Sequence, residues 1–147
     1  MIQYSKIPLD DEPEICTEIG RLVAHWALVE IHLKLVMSQL LLTDQSRAVT
    51  VYNSVTSVRT KVDIMKRLVR DFIVDAGFSR ELSLLFKEVE RLNSKRNEIV
   101  HATWGRHPDG YISLHPESLP GSSGKKRMKP SYPIKSDDIK KLLRRFH

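Results

Sequence analysis

Cysteine is almost absent: Cys16 stands alone among 147 residues, which excludes an intramolecular disulfide and any cysteine-rich zinc site. The sequence also lacks a glycine-rich phosphate loop, a serine-nucleophile motif and a cluster of metal-ligand side chains, so neither metal nor cofactor is expected. Residues 1–14 hold no basic segment followed by an apolar run, so no signal peptide is expected. The most apolar stretch, residues 23–42, is interrupted by His25, Glu30, His32, Lys34, Ser38 and Gln39. Those interruptions argue against a membrane span and for a helix buried on most sides. Together the absences predict a cytoplasmic protein with no membrane partner.

What is present is ordinary in bulk and uneven in charge. With 41% hydrophobic and 29% charged residues, the chain has enough material for one domain with a real core. The formal charge of +6 is not spread evenly. Residues 1–46 carry three basic and seven acidic side chains, whereas residues 125–147 carry nine basic and two acidic. A basic C-terminal part suits a polyanion such as nucleic acid, and serves solubility equally well.

Periodicity predicts four helices. An extended leader covers residues 1–12, and Pro13 opens a helix running to about residue 42, with Ile15, Ile19, Leu22, Trp26, Val29, Leu33, Val36 and Leu40 in a three-and-four rhythm. Arg21, His25, His32 and Gln39 line its polar flank. So broad an apolar surface suggests packing against several helices and against a second copy of the chain. Thr43 or Asp44 caps a short helix to about Val55. Ser57 caps a third helix over residues 58–75, burying Val58, Val62, Met65, Leu68 or Val69, and Phe72, and Ala76-Gly77 stops it. Ser79 starts the fourth, whose stripe is Leu82, Leu85, Val89 and Leu92 and which closes near His101. Pro108-Asp109-Gly110 and the alternation of Tyr111 to Leu114 predict a small hairpin within residues 104–115. A basic loop follows, and Ser136 caps a last helix over residues 137–146, whose apolar face has barely begun at His147, as if the natural protein continued.

One segment breaks the pattern. The stripe of the fourth helix, extended, reaches positions 96 and 99; Ile99 fits, but Arg96 puts a guanidinium where packing is expected. Such a group costs several kcal/mol unless it is paired or opens onto water. Asn97 and His101 lie about 40° apart on one helix face, and Arg96 about 100° from Asn97. A neutral imidazole can take a proton from a ribose 2′-hydroxyl and, once protonated, return one to a leaving oxygen. Arginine supplies a permanent bidentate charge for phosphoryl oxygens, and asparagine can hold either partner. That is the minimum equipment for cleaving RNA, and not DNA, without a metal.

Arg96-Asn97-x-x-x-His101, at the end of a long helix, resembles the R-x4-6-H signature of the HEPN superfamily (higher eukaryotes and prokaryotes nucleotide-binding). The segment from Ile19 to Glu30 (IGRLVAHWALVE) resembles the first long helix of some bacterial members, and the similarity covers most of residues 13–104. The resemblance implies an all-α bundle that dimerises with its two motif helices meeting in a cleft. Many members are metal-independent endoribonucleases in toxin–antitoxin or antiphage systems; others are inactive binding or scaffold domains. Carried over, Arg96 and His101 are catalytic and Asn97 is the polar residue after the arginine. One toxin subgroup has tyrosine two residues after the histidine, as the target of an inactivating nucleotidyltransferase; here that position is Thr103, which speaks against such regulation.

The expected architecture is an all-α antiparallel four-helix bundle with a small C-terminal β-hairpin and a terminal helix. It forms a single domain over residues 1–147, with a helical core at 13–101, hairpin and basic loop at 104–135, and the last helix at 137–146. The expected partners are a second copy, RNA, and an antitoxin or regulatory protein. Glu30, Trp104, Lys125, Lys126 and Arg127 complete the candidate site, each with an alternative role. Glu30 pairs with Arg96 and orients it, or pairs with Lys34 at the i, i+4 spacing. Trp104 covers the motif or stacks on a base, or packs beneath the hairpin. Lys125, Lys126, Arg127 and Lys129 trail over phosphates, or form a solvated loop. His101 itself can be a helix C-terminal residue satisfied by the macrodipole. His25 and His32, seven apart without a third ligand, read as surface residues, as do His107 and His115. A single-stranded-RNA endonuclease is the leading expectation; a non-catalytic RNA-, nucleotide- or protein-binding dimer module and a purely structural dimer are the alternatives.

Overall fold

Pro13 opens the first helix, where its missing N–H and preset φ carry no penalty, and α1 runs Pro13–Leu40. The computed structural model describes residues 9–106, 109–115 and 132–145, apart from the side chains of Thr103 and His115. Of the expected extended leader, residues 1–8 lie outside the described residues, and residues 9–12 form a turn in which Glu12 N–H donates to the Leu9 carbonyl at 2.9 Å. The described residues are mostly helical: α1, α2 (Gln45–Ser54), α3 (Val58–Phe72), α4 (Ala76–Val100) and α5 (Ser136–Leu143), with short strands β1 (Thr103–Arg106), β2 (Ile112–His115) and β3 (Tyr132–Pro133). No single helix among them is long and apolar enough to cross a membrane. The chain divides into two compact units, residues 1–25 with 96–147, and residues 26–95.

The caps of the short helices follow from local chemistry. Asp44 accepts from Arg47 N–H at 3.0 Å and Ser57 from Thr60 N–H at 3.4 Å, each satisfying a first-turn donor. At the start of α4 the expectation fails. Gly77 does not end α3 in a left-handed conformation, and Ser79 does not begin the next helix. Asp75 Oδ1 accepts from Phe78 N–H at 2.7 Å, and its carbonyl accepts from Ser79 N–H at 2.9 Å. Ala76 and Gly77 are therefore the first turn of α4, and α3 ends three residues early. An aspartate with a free donor three residues on outcompetes a glycine stop. The left-handed helix end is found instead at Leu42, with φ of 49°, just beyond α1.

Within residues 26–95, Trp26, Leu33, Met37, Ala48, Tyr52, Val62, Met65, Val69, Leu82, Phe86, Val89 and Leu92 are buried. Of the expected core residues there, Val29, Val36, Leu40 and Val58 are half-buried and two are exposed. Leu85 is 46% exposed, and Phe86, four residues after Leu82 and three before Val89, takes its place as the larger ring. Phe72 is 69% exposed, because α3 ends there and no further turn covers it.

The other unit gathers Ile15, Leu22, Ile99, Ile112, Leu114, Ile134, Ile139 and Leu143 around a three-stranded antiparallel sheet in the order β1-β2-β3. The expected hairpin is present, with Trp104 opposite Leu114 and Arg106 opposite Ile112, and Gly110 supplies a positive φ of 89° near its turn. The third strand was not expected. It adds Tyr132 opposite Leu114, and Ile134 N–H donates to the Ile112 carbonyl at 3.2 Å. A two-residue strand ending in proline has no alternation to read, and its proline is tolerated at a sheet edge. Ser136 does not cap α5: its hydroxyl donates to Glu14 Oε2 at 3.3 Å, while Asp138 accepts from Lys135 N–H at 3.0 Å. Phe146, expected in that helix, lies outside the described residues.

Candidate functional site

Arg96, Asn97 and His101 come together at the end of α4, in the unit that carries the sheet. The chain there is helical through Val100, and His101 N–H still donates to the Asn97 carbonyl at 3.0 Å, so the imidazole projects from the last helical hydrogen bond. Arg96 Nη1 donates to Asn97 Oδ1 at 2.8 Å and lies 3.3 Å from His101 Nε2. A guanidinium only donates, so this contact is a hydrogen bond in the neutral tautomer whose Nε2 accepts and whose proton is on Nδ1. Arg96 is half-buried, and its Nε is buried with no hydrogen-bond partner among the described residues. His101 is exposed.

This geometry is chemically specific. One nitrogen of the fork bridges the amide and the imidazole, while a second N–H is shielded from water and unbonded. An unpaired buried donor of this kind costs roughly 1–3 kcal/mol, and an acceptor brought to that edge of the fork would recover it. Next along α4, Glu98 Oε1 accepts from the Tyr132 hydroxyl at 3.0 Å, holding β3 to the motif helix. Burial, reinforced by the carboxylate of Glu98, pushes the Tyr132 phenol up to about 12.

The remaining candidates have other surroundings. Glu30 forms its salt bridge with Lys61, at 3.9 Å, rather than with Lys34. Spacing along one helix could not reveal a partner on α3. Trp104 is half-buried and packs against the apolar cluster of the sheet unit. Lys125, Lys126 and Arg127, like Lys129 and His107, lie outside the described residues, as does the side chain of His115. His25 and His32 turn back on their own helix, each Nδ1–H donating to the carbonyl four residues earlier at 2.8 Å. The described residues contain no group of three or more side chains arranged to hold a metal.

Two polar groups escaped the sequence reading. Glu18 is buried on α1, with Oε1 accepting from Arg21 at 2.9 Å and Oε2 unpartnered. Its place between Ile15 and Leu22 on the apolar stripe was the available signal. Lys61 is buried with its Nζ 3.9 Å from the centroid of the Tyr52 ring, a cation–π contact. Burial lowers the Lys61 ammonium below the usual lysine range, against the opposing pull of Glu30, and burial raises the Tyr52 phenol well above its own. Comparisons with protein-family models, curated proteins and solved structures find no match.

Proposed function

We propose that the chain is a metal-independent endoribonuclease of the HEPN type, acting on single-stranded RNA from a cleft between two copies of an antiparallel helical bundle. The observation that carries this reading is the fork of Arg96: it reaches His101 Nε2 at 3.3 Å while its own Nε is buried without a partner. A scissile phosphate supplies the acceptor that this edge lacks. In doing so it draws Nη1 away from the imidazole, a contact already long for a hydrogen bond, and frees the Nε2 lone pair.

His101 then takes the proton of the ribose 2′-hydroxyl as the 2′ oxygen attacks the adjacent phosphorus. The bond from phosphorus to the 5′ oxygen breaks, and the imidazolium returns its proton to that oxygen. The products are a 2′,3′-cyclic phosphate and a 5′-hydroxyl. Arg96 holds the non-bridging oxygens as they gain charge, and Asn97 keeps the fork oriented. The biological setting that goes with this chemistry is a cytoplasmic toxin or antiphage effector restrained by an antitoxin or regulatory protein.

The test is cleavage of single-stranded RNA in EDTA. The wild type is expected to yield cyclic-phosphate ends, and His101→Ala to cleave at least 100-fold more slowly, within the range of about 10²–10⁴ for loss of a general base. No cleavage by the wild type, or cleavage unchanged in His101→Ala, removes the reading. One observation favours a second: at rest the guanidinium occupies the lone pair a base would need. In a non-catalytic RNA-, nucleotide- or protein-binding dimer module that contact persists, and Arg96→Ala lowers binding with no wild-type turnover to lose.

A further inference from the structure

The helices α3 and α4 border a shallow open groove of about 680 Å³ lined by Asp63, Lys66, Arg67, Arg70, Ser83 and Lys87. All six belong to the unit of residues 26–95. Four are cations, three of them supplied by α3 within one and a half turns and the fourth facing them from α4. Two are already engaged: Lys66 Nζ lies 2.8 Å from Glu90 and 4.0 Å from Asp63, and Arg70 is hydrogen-bonded to Asp71 at 2.8 Å. The Arg67 guanidinium helps hold the Asp71 carboxyl below the usual range, after the larger pull of Arg70. Yet neither Arg67 nor Lys87 makes a hydrogen bond or salt bridge among the described residues, and both are exposed.

We infer that this groove seats the sugar-phosphate backbone of single-stranded RNA, with Arg67 and Lys87 as its phosphate contacts. The lining contains no apolar side chain, whereas a protein partner needs an apolar anchor at the centre of its footprint. A polyanion needs none: its charges recur along the backbone, and cations on two facing helices can meet successive phosphates. Asp63, Glu90 and Asp71 offset Lys66 and Arg70, so the excess positive charge of the groove rests on Arg67 and Lys87. The choice of RNA rests on the nuclease reading above; the groove then adds a second anchor that binds substrate irrespective of base sequence.

The test uses an end-labelled oligouridine carrying 2′-fluoro groups, which lacks the nucleophile and cannot be cleaved, and follows its anisotropy across a salt titration. Arg67→Gln/Lys87→Gln is expected to weaken binding about tenfold at low salt. It should also reduce the slope of log K against log salt by about 1.4, two contacts at about 0.7 each for a single strand. Arg67→Lys/Lys87→Arg, which keeps both charges, should bind as the wild type does, and both variants should melt as it does, since neither residue is buried. An unchanged slope in the glutamine variant, or equal weakening in the charge-preserving one, overturns the inference. Displacement of the oligouridine by polyglutamate as readily as by unlabelled RNA overturns it in favour of an acidic peptide. The two readings fail separately. Cleavage in EDTA that depends on His101 with an unchanged salt slope rejects the groove alone, and a lowered slope without any cleavage rejects the nuclease alone.

Discussion

Arg96 and Tyr52 share one feature, a buried polar atom without a partner, and the chemistry around each gives it a different meaning. Arg96 is half-buried beside an exposed imidazole at the end of α4, where an incoming acceptor reaches the covered Nε once the atoms over it shift. The Tyr52 hydroxyl is buried in a fully enclosed residue whose ring carries Lys61 on one face. No hydrogen bond among the described residues compensates the lost hydration of that oxygen, so Tyr52→Phe is expected to raise stability by about 1 kcal/mol, measured as a higher midpoint in urea with an unchanged slope. Loss of stability instead would mean that the hydroxyl has a partner in solution.

At the level of single elements, two positions give sharp expectations. Leu42 holds φ of 49° just after α1 and is 93% exposed, so its side chain pays for backbone strain with no packing in return. Leu42→Gly should stabilise the protein by about 1 kcal/mol, since glycine enters the left-handed region freely. A neutral or negative change in thermal or urea melting would contradict this. The second position is the tie between β3 and α4. The folded pKa of Tyr132 lies above its unfolded value, so the folded state holds the proton longer, and the resulting stability is complete below about pH 10. It is lost as pH rises from 10 to about 12. Tyr132→Phe should remove that part of the alkaline fall, leaving the part due to Tyr52, and should cost about 1 kcal/mol at neutral pH. Identical alkaline profiles for wild type and variant would show that Tyr132 is neither buried nor tied to Glu98 in solution.

For the molecule as a whole, the proposed activity requires two copies. Leu28, Ile31 and Leu35 repeat at three and four residues along α1 and are 54%, 48% and 40% exposed, an apolar face suited to the same face of a second chain. Ile31→Glu is expected to shift sedimentation equilibrium from dimer to monomer and to abolish cleavage while leaving the helical circular dichroism intact. A wild type that is monomeric at every concentration would remove both the dimer and the shared cleft.

Helix positions, the caps at Asp44 and Ser57, the hairpin turn and the outlying Arg96 were legible from the chain alone, because each depends on residues within about four positions of one another. A periodic stripe, a capping side chain and a helix-end motif are short-range facts, and the hydrogen bonds from Arg96 to Asn97 and His101 remain within that range. Relations between distant segments had to wait for the tertiary structure. Nothing in the order of residues pairs Glu30 with Lys61, adds Tyr132 to the sheet and to Glu98, or sets Lys87 across a groove from Arg67. The same limit explains why Phe86 displaces Leu85 in the core: both fit the period, and only the surface they meet decides which is buried. Local backbone chemistry sets what each segment becomes, whereas the partner of a buried charge or ring depends on which remote segment chain closure brings against it.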